Sequence, residues 1–153
     1  MKSFNVRGPN AAGTTNKTAV TIIASSSIRV GIFDIGGGTD GTNPSDVQVL
    51  YLVQRFTAVG TAGSNPTPEP DDSSDVAAIA TGGITHSGEP TYTASKVLWE
   101  FSGNMRSPFR WVAFESDKNL RSPATASNGI GVYLSTTNPS TSLTGSFVVK
   151  FSE

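Results

Sequence analysis

The stretch whose residue types most invite chemistry is DIGGGTDG, Asp34 to Gly41: a carboxylate, three glycines and a threonine set between two strand-like runs. Backbone amides without side chains in the way can cradle phosphate oxygens, so the first candidate is a nucleotide-holding loop. A P-loop also carries a lysine that reaches the terminal phosphates, and GxxxxGK[ST] is absent from this chain. A two-lobed nucleotide-binding architecture needs further phosphate and adenosine loops, and a chain far longer than 153 residues. The remaining reading is a hairpin tip, in which Gly36–Gly38, Thr39, Asp40, Gly41 and Asn43-Pro44 supply the dihedrals of tight turns.

The other reactive types are sparse. His86 is the single histidine. A Ser-His-Asp arrangement would have to use it, but no serine stands in a G-x-S-x-G frame, so His86 reads as a solvated loop residue. Zinc needs several His or Cys ligands, and the chain has no cysteine, which excludes disulfides and thiolate metal sites. Glu69, Asp71, Asp72 and Asp75 could converge on calcium. Their spacing, EPDDSSD, is not that of an EF-hand loop, and they read as a solvated helix cap. Paired carboxylates for glycoside hydrolysis are judged by separation in space, not in sequence. Pro66, Pro68 and Pro70 fall outside the P-x-x-P register of a signalling-domain ligand. Tyr92, Trp99, Trp111 and Tyr133 could build a sugar-stacking platform, although strand alternation turns both tryptophans inward. No catalytic, metal or cofactor-binding residue is assigned, and the expectation is a protein that is not an enzyme.

Arginines are the better candidates, because they pair bidentately with carboxylates and are enriched at interfaces. Arg106 and Arg110 flank Ser107-Pro108-Phe109, and Arg121 precedes Ser122-Pro123. The candidate partner contacts are Phe4, Arg7 and Pro9 in the N-terminal segment, with Arg55, Arg106, Arg110 and Arg121 beyond it. The competing reading for the arginines is an intrachain ion pair or a solvated face.

These residues sit on β-type elements. Lys17–Ala24 alternates over two faces, and Ile28, Val30 and Ile32 alternate with Arg29 and Gly31. Asp46–Ala58 is apolar on both faces over Val49–Val53, which predicts a central strand covered on both sides. Lys96–Ser102 sets Val97, Trp99 and Phe101 against Lys96, Leu98 and Glu100. Phe109–Phe114, Gly129–Leu134 and Ser146–Phe151 follow the same period. With Ser3–Arg7 this makes about eight strands, the jelly-roll number. The fold class is all-β: a single-domain antiparallel sandwich or jelly roll, with at most one short helix, over Asp71–Ala80. Residues 1–16 read as an N-terminal strand or arm, and residues 17–153 as the sandwich, with a long loop over 60–90. No internal repeat is present.

Composition bounds the partners. Charged residues are 15% of the chain and the net charge is −1, which provides no footprint for nucleic acid or an anionic membrane. No apolar run approaches the ~20 residues of a spanning helix. No Sec-type apolar segment opens the chain, so the expected compartment is a cytoplasm, and the Asn16-Lys17-Thr18 sequon is expected to be idle.

The run from Glu89 to Leu134 resembles a family of small virion proteins of tailed bacteriophages, including cyanophages. The likeness is carried by Glu89-Pro90-Thr91-Tyr92-Thr93-Ala94, by Phe109-Arg110-Trp111-Val112-Ala113, and by Ser122–Ala126 leading into Asn128-Gly129-Ile130-Gly131. Upstream, Arg55–Asp72 is similar to the family's Thr/Pro-rich loop, which extends the match over Gln48–Leu134. The chain departs where the family often has a Pro-Gly turn and this sequence has Phe114-Glu115-Ser116-Asp117; its first 45 residues have no counterpart. The resemblance implies a capsid cement or decoration protein. Such a protein would form a homotrimer on the outer surface of a phage head and stabilise contacts between major capsid protein subunits. It would be made in the host cytoplasm and carried on the virion. The N-terminal segment would then be an arm that orders on the shell, so that deleting Met1–Asn16 would abolish binding and leave a folded core. The alternative is a receptor- or carbohydrate-binding sandwich from a phage tail or a larger enzyme.

Overall fold

A computed structural model describes residues 2–13, 17–39, 46–136 and 143–153, with the backbone alone for 9–13, 116, 136 and 143. Eleven strands form among them: β1 Ser3–Gly13, β2 Lys17–Ile23, β3 Gly31–Thr39, β4 Gln48–Ala58, β5 Glu69–Pro70, β6 Thr81–Ile84, β7 Thr91–Asn104, β8 Phe109–Val112, β9 Leu120–Arg121, β10 Gly129–Thr136 and β11 Leu143–Ser152. The first sheet runs β5-β1-β11-β3-β8, with β9 also on β3, and the second runs β6-β2-β10-β4-β7. All pairings are antiparallel. The C-terminal strands thread back between the early ones, β11 between β1 and β3 and β10 between β2 and β4. The eight strands β1-β11-β3-β8 and β2-β10-β4-β7 are thereby interleaved in the jelly-roll order.

The core is what alternation predicts. Val20, Ile22, Ile35, Val53, Ile130 and Val149 are fully buried between the sheets. Each such side chain contributes roughly 1.5–3 kcal/mol of transfer free energy. At one side of the sandwich Tyr51 lies 4.4 Å from Phe109 between ring centroids, and Trp99 lies 5.7 Å from Phe109 and 6.3 Å from Trp111. Both tryptophans are half-buried against the core, as alternation expects. β4 is covered on both faces: Val49, Tyr51 and Val53 point inward, while Leu52, Gln54 and Phe56 are buried on the other side. The outer cover comes from β7, which inserts extra residues between Tyr92 and Val97 opposite the single residue Arg55.

Several expectations are corrected. The glycine run is not a turn: Asp34–Gly38 lies inside β3, paired with β11 and β8. Glycine is used there for close approach, because a Cβ at Gly37 would collide with the Phe147 ring and one at Gly38 would lie 3.3 Å from the Pro108 backbone. Asp40–Pro44 of the expected tip lies outside the described residues. Asp71–Ala80, expected to hold at most one short helix, forms none. The Asp72 carboxylate instead accepts from Ser74 N at 2.9 Å and from Ser74 Oγ at 2.7 Å, closing a local turn that competes with a helix start. The loop over 60–90 is more than an excursion, since it lends β5 to the first sheet and β6 to the second. At Leu98 a bulge puts two residues of β7 opposite one step of β4, so Leu98 packs against the core beside Trp99 rather than facing away.

The largest correction concerns the N-terminus. Of the two readings, strand or arm, the structure has the strand: β1 pairs with β11 from Ser3 to Gly13, and with the two-residue β5 at Phe4 and Asn5. Phe4 and Val6 are core residues. Deleting the segment would remove part of the folded unit and leave no intact core. Alternation marks Ser3–Arg7 as a strand but carries no sign of its partner, which lies near residue 150.

Candidate functional site

Strand pairing aligns side chains into rows across the outer face of the first sheet. One row is Asn5, Lys150, Asp34 and Val112, and the next is Arg7, Val148, Gly36 and Arg110. The first row is a charge ladder. Asp71 accepts from Asn5 Nδ2 at 3.3 Å and from Lys150 Nζ at 3.1 Å. Arg110 grips Asp34 bidentately, Nε to Oδ1 at 3.1 Å and a terminal nitrogen to Oδ2 at 2.8 Å. Burial pushes the Asp71 carboxyl up, but Lys150, Ser3 and Asn5 outweigh it and hold the group below its usual value. The hydrogen bonds that Arg110 donates to Asp34, and then the carboxylate's charge, raise the guanidinium further.

The two partners of that grip are unequally placed. The Asp34 side chain is 11% exposed and the Arg110 side chain 69%. Arg110→Ala leaves a nearly buried carboxylate without its cation, whereas Asp34→Ala leaves a guanidinium in water. Arg110→Ala is therefore expected to lower the thermal midpoint more than Asp34→Ala; equal effects in paired melts would contradict that ordering.

Two hollows flank the ladder. One, of about 320 Å³, opens between Arg7 and Arg110 over Gly36 and Val148. The other, of about 330 Å³, is walled by Phe33, Ala113 and Phe114, with Glu115 and Asn119 beside them. Phe33 is a bulge residue: Lys150 pairs with Asp34 and Phe151 with Ile32, so Phe33 has no counterpart on β11. Such a bulge re-aims a side chain, and here it leaves Phe33 half-exposed beside this hollow. Phe114 is 93% exposed and Val112 is 52% exposed, so apolar surface is concentrated at this corner.

The structure sorts the sequence candidates. Arg7 and Arg110, more than a hundred residues apart, meet across β11 and β3 in one row. Arg55 and Arg121 meet at one end of the sandwich, where Arg55 Nε donates to the Arg121 carbonyl at 2.8 Å. Arg106 stands apart, 3.5 Å from Asp46 in an exposed pair. Pro9 lies in β1 opposite Ser146. Phe4 is withdrawn as a contact residue, because it is fully buried. Residue-by-residue reading missed Phe33, Val112 and Phe114; the signal for Phe114 was its position beyond the last inward residue of an alternating strand.

His86 is likewise not solvated. It is 1% exposed, with Nε2 3.2 Å from the Thr21 hydroxyl. Beside it, the Glu89 carboxylate accepts from Thr18 N at 2.9 Å and from the Thr18 hydroxyl, and Tyr92 reaches that same hydroxyl at 2.8 Å. Burial drives the Tyr92 phenol far up from its ordinary value. This part-buried network pins the segment before β7 onto β2. The acidic loop disperses instead of converging: Asp71 turns to Lys150, Asp72 to Ser74, and Asp75 to Lys2 at 3.9 Å. Among the described residues no three His, Cys, Asp or Glu side chains group as a metal site would, and no helix is long and apolar enough to cross a membrane.

No family model, curated protein or solved structure matches the chain.

Proposed function

We propose that the chain is a structural protein that docks on a larger assembly through the outer face of its first sheet. The assembly we propose is a tailed-phage head, where the chain would act as a cement or decoration protein on major capsid protein subunits. The observation that carries the docking reading is the corner made by Phe33, Val112 and Phe114, where a 93%-exposed phenylalanine stands next to a hollow of about 330 Å³. Exposed aromatic anchors of this kind are what the centres of protein interfaces bury. The resemblance of Gln48–Leu134 to phage virion proteins supplies the identity of the assembly, and with it the homotrimer and the virion location. In this reading the chain catalyses nothing and needs no cofactor.

Phe114→Ser separates docking from folding. Its side chain packs on almost nothing, so the unfolding free energy should stay within about 0.5 kcal/mol of the parent. Cosedimentation with undecorated heads should weaken at least tenfold, as for an interface anchor worth 2 kcal/mol or more. Full binding by a folded Phe114→Ser protein would overturn the reading. Light scattering across a dilution series tests the trimer directly against the chain mass of 15.9 kDa.

The same corner favours one second reading. An aromatic wall beside Glu115 and Asn119 suits a sugar ring, which stacks its apolar face and donates its hydroxyls. Titration with neutral oligosaccharides, followed by chemical shifts of Phe33 and Phe114, would support it if those residues alone responded.

A further inference from the structure

We infer that the groove between Arg7 and Arg110 seats an extended, carboxylate-bearing segment of the partner protein. The inference deepens the docking reading and rests on the outer face of the first sheet being the contacting surface.

The groove's floor is Gly36, and nothing in the packing requires glycine there. Among the described glycines only Gly60 has a positive φ. A Cβ built on Gly36 would meet Val148 Cγ1 at 3.5 Å and the Phe109 carbonyl at 3.9 Å, both ordinary contacts. Its neighbour Gly37 is different, since a Cβ there would run into Phe147. A glycine within a strand weakens it, and its common uses are a bulge, a tight bend or the close approach of another chain or ligand. The β3 bulge is at Phe33, not at Gly36, which favours close approach. With strands about 4.8 Å apart, the three steps from Arg7 to Arg110 set their Cα atoms about 14 Å apart. That spacing leaves room for one extended chain between two long side chains.

Charge selects what lies there. Arg7 is exposed and forms no ion pair among the described residues, while Arg110 is already oriented by its grip on Asp34. One open guanidinium beside an apolar floor of Val148 and Gly36 suits a carboxylate next to an apolar side chain. It suits nucleic acid poorly, because polyanion binding needs many cations and here one of the two is paired.

The test uses fluorescence anisotropy with the full chain and two labelled nine-residue peptides, one alternating glutamate and valine, the other glutamine and valine. The glutamate peptide should bind, and weaken with added salt. The glutamine peptide should bind at least tenfold more weakly. Arg7→Gln, and Gly36→Val with an unchanged melting curve, should each weaken the glutamate peptide at least tenfold. Phe114→Ser should leave it unchanged. Equal affinity for both peptides, no binding of the glutamate peptide, or full binding by folded Gly36→Val would overturn the inference. If the peptides fail while Phe114→Ser still abolishes docking on heads, the groove is wrong and the face stands. If peptide binding behaves as stated while Phe114→Ser docks normally, the docking reading falls instead.

Discussion

Phe4→Ala is expected to lower the free energy of unfolding by about 3–5 kcal/mol, read from urea denaturation. Phe4 is fully buried and stacks on Phe151 with ring centroids 5.7 Å apart, so alanine leaves a cavity facing the opposite sheet. The position is also held on both sides, by Phe151 in β11 and Pro70 in β5, which restricts collapse around the void. A loss of that size is a large fraction of the 5–15 kcal/mol typical of a domain. Removing residues 1–13 altogether exposes the edge of β11 and deletes Phe4 and Val6 together, and it should yield insoluble or unfolded protein. An arm that orders only on a partner would behave in the opposite way: Phe4→Ala would leave the midpoint in place, and the truncated chain would stay folded. Either of those results would return β1 to the role that its sparse hydrophobicity suggests.

The contrast between β1 and the rest marks how far local sequence reaches. Period-2 alternation located β2, β4, β10 and β11 because each buries one complete face, and Ile130, Val132 and Leu134 are all buried as their spacing requires. Alternation failed where a strand's reason for existing lies in its neighbour. Gly36–Gly38 has no side chains to alternate, and glycine in isolation reads as a turn; pairing with β11 and β8 makes the strand, and the Phe147 ring and Pro108 backbone account for glycine at 37 and 38. Leu98 was placed on the wrong face because a bulge shifts the phase without leaving any mark in composition. The acidic stretch before Val76 carried real capping residues, but Asp72 spent its carboxylate on Ser74 two positions on.

The candidate surface was legible only in part, for the same reason. Arg7 and Arg110 were singled out by residue type, yet what joins them is the register of β1, β11, β3 and β8. Phe33 looked like an ordinary strand residue until the bulge put it outward. His86 looked solvated because its flanks, Thr85 and Ser87, are polar, whereas the Thr61–Gly88 and Ser64–Ile84 bridges fold its loop back onto the sheet.

That burial is expected to cost the fold stability as the pH falls below the ordinary histidine value. Desolvation pulls the His86 imidazole below its ordinary 6.5, and the charge of Lys17 adds to it, while Glu89 and the Gly83 backbone oppose it. No hydrogen-bond partner reaches Nδ1 among the described residues, so protonation would place a charge on an atom with nothing to receive it. The unfolded chain takes up a proton as the pH falls through about 6.5, and the folded chain resists until lower pH. Over that interval the unfolded state binds more protons, so this contribution is complete above pH 6.5 and is lost as the pH falls, at up to about 1.4 kcal/mol per unit. Asp71 and Asp72 are held below the ordinary carboxylate value and lose their contributions only at still lower pH. Urea midpoints of the parent should therefore fall from pH 7.5 to 5.5, and those of His86→Asn, though lower throughout, should stay flat. Parallel curves for the two proteins would mean that His86 titrates freely, and hence that the Thr61–Gly88 loop opens in solution and does not seal the ring against β2.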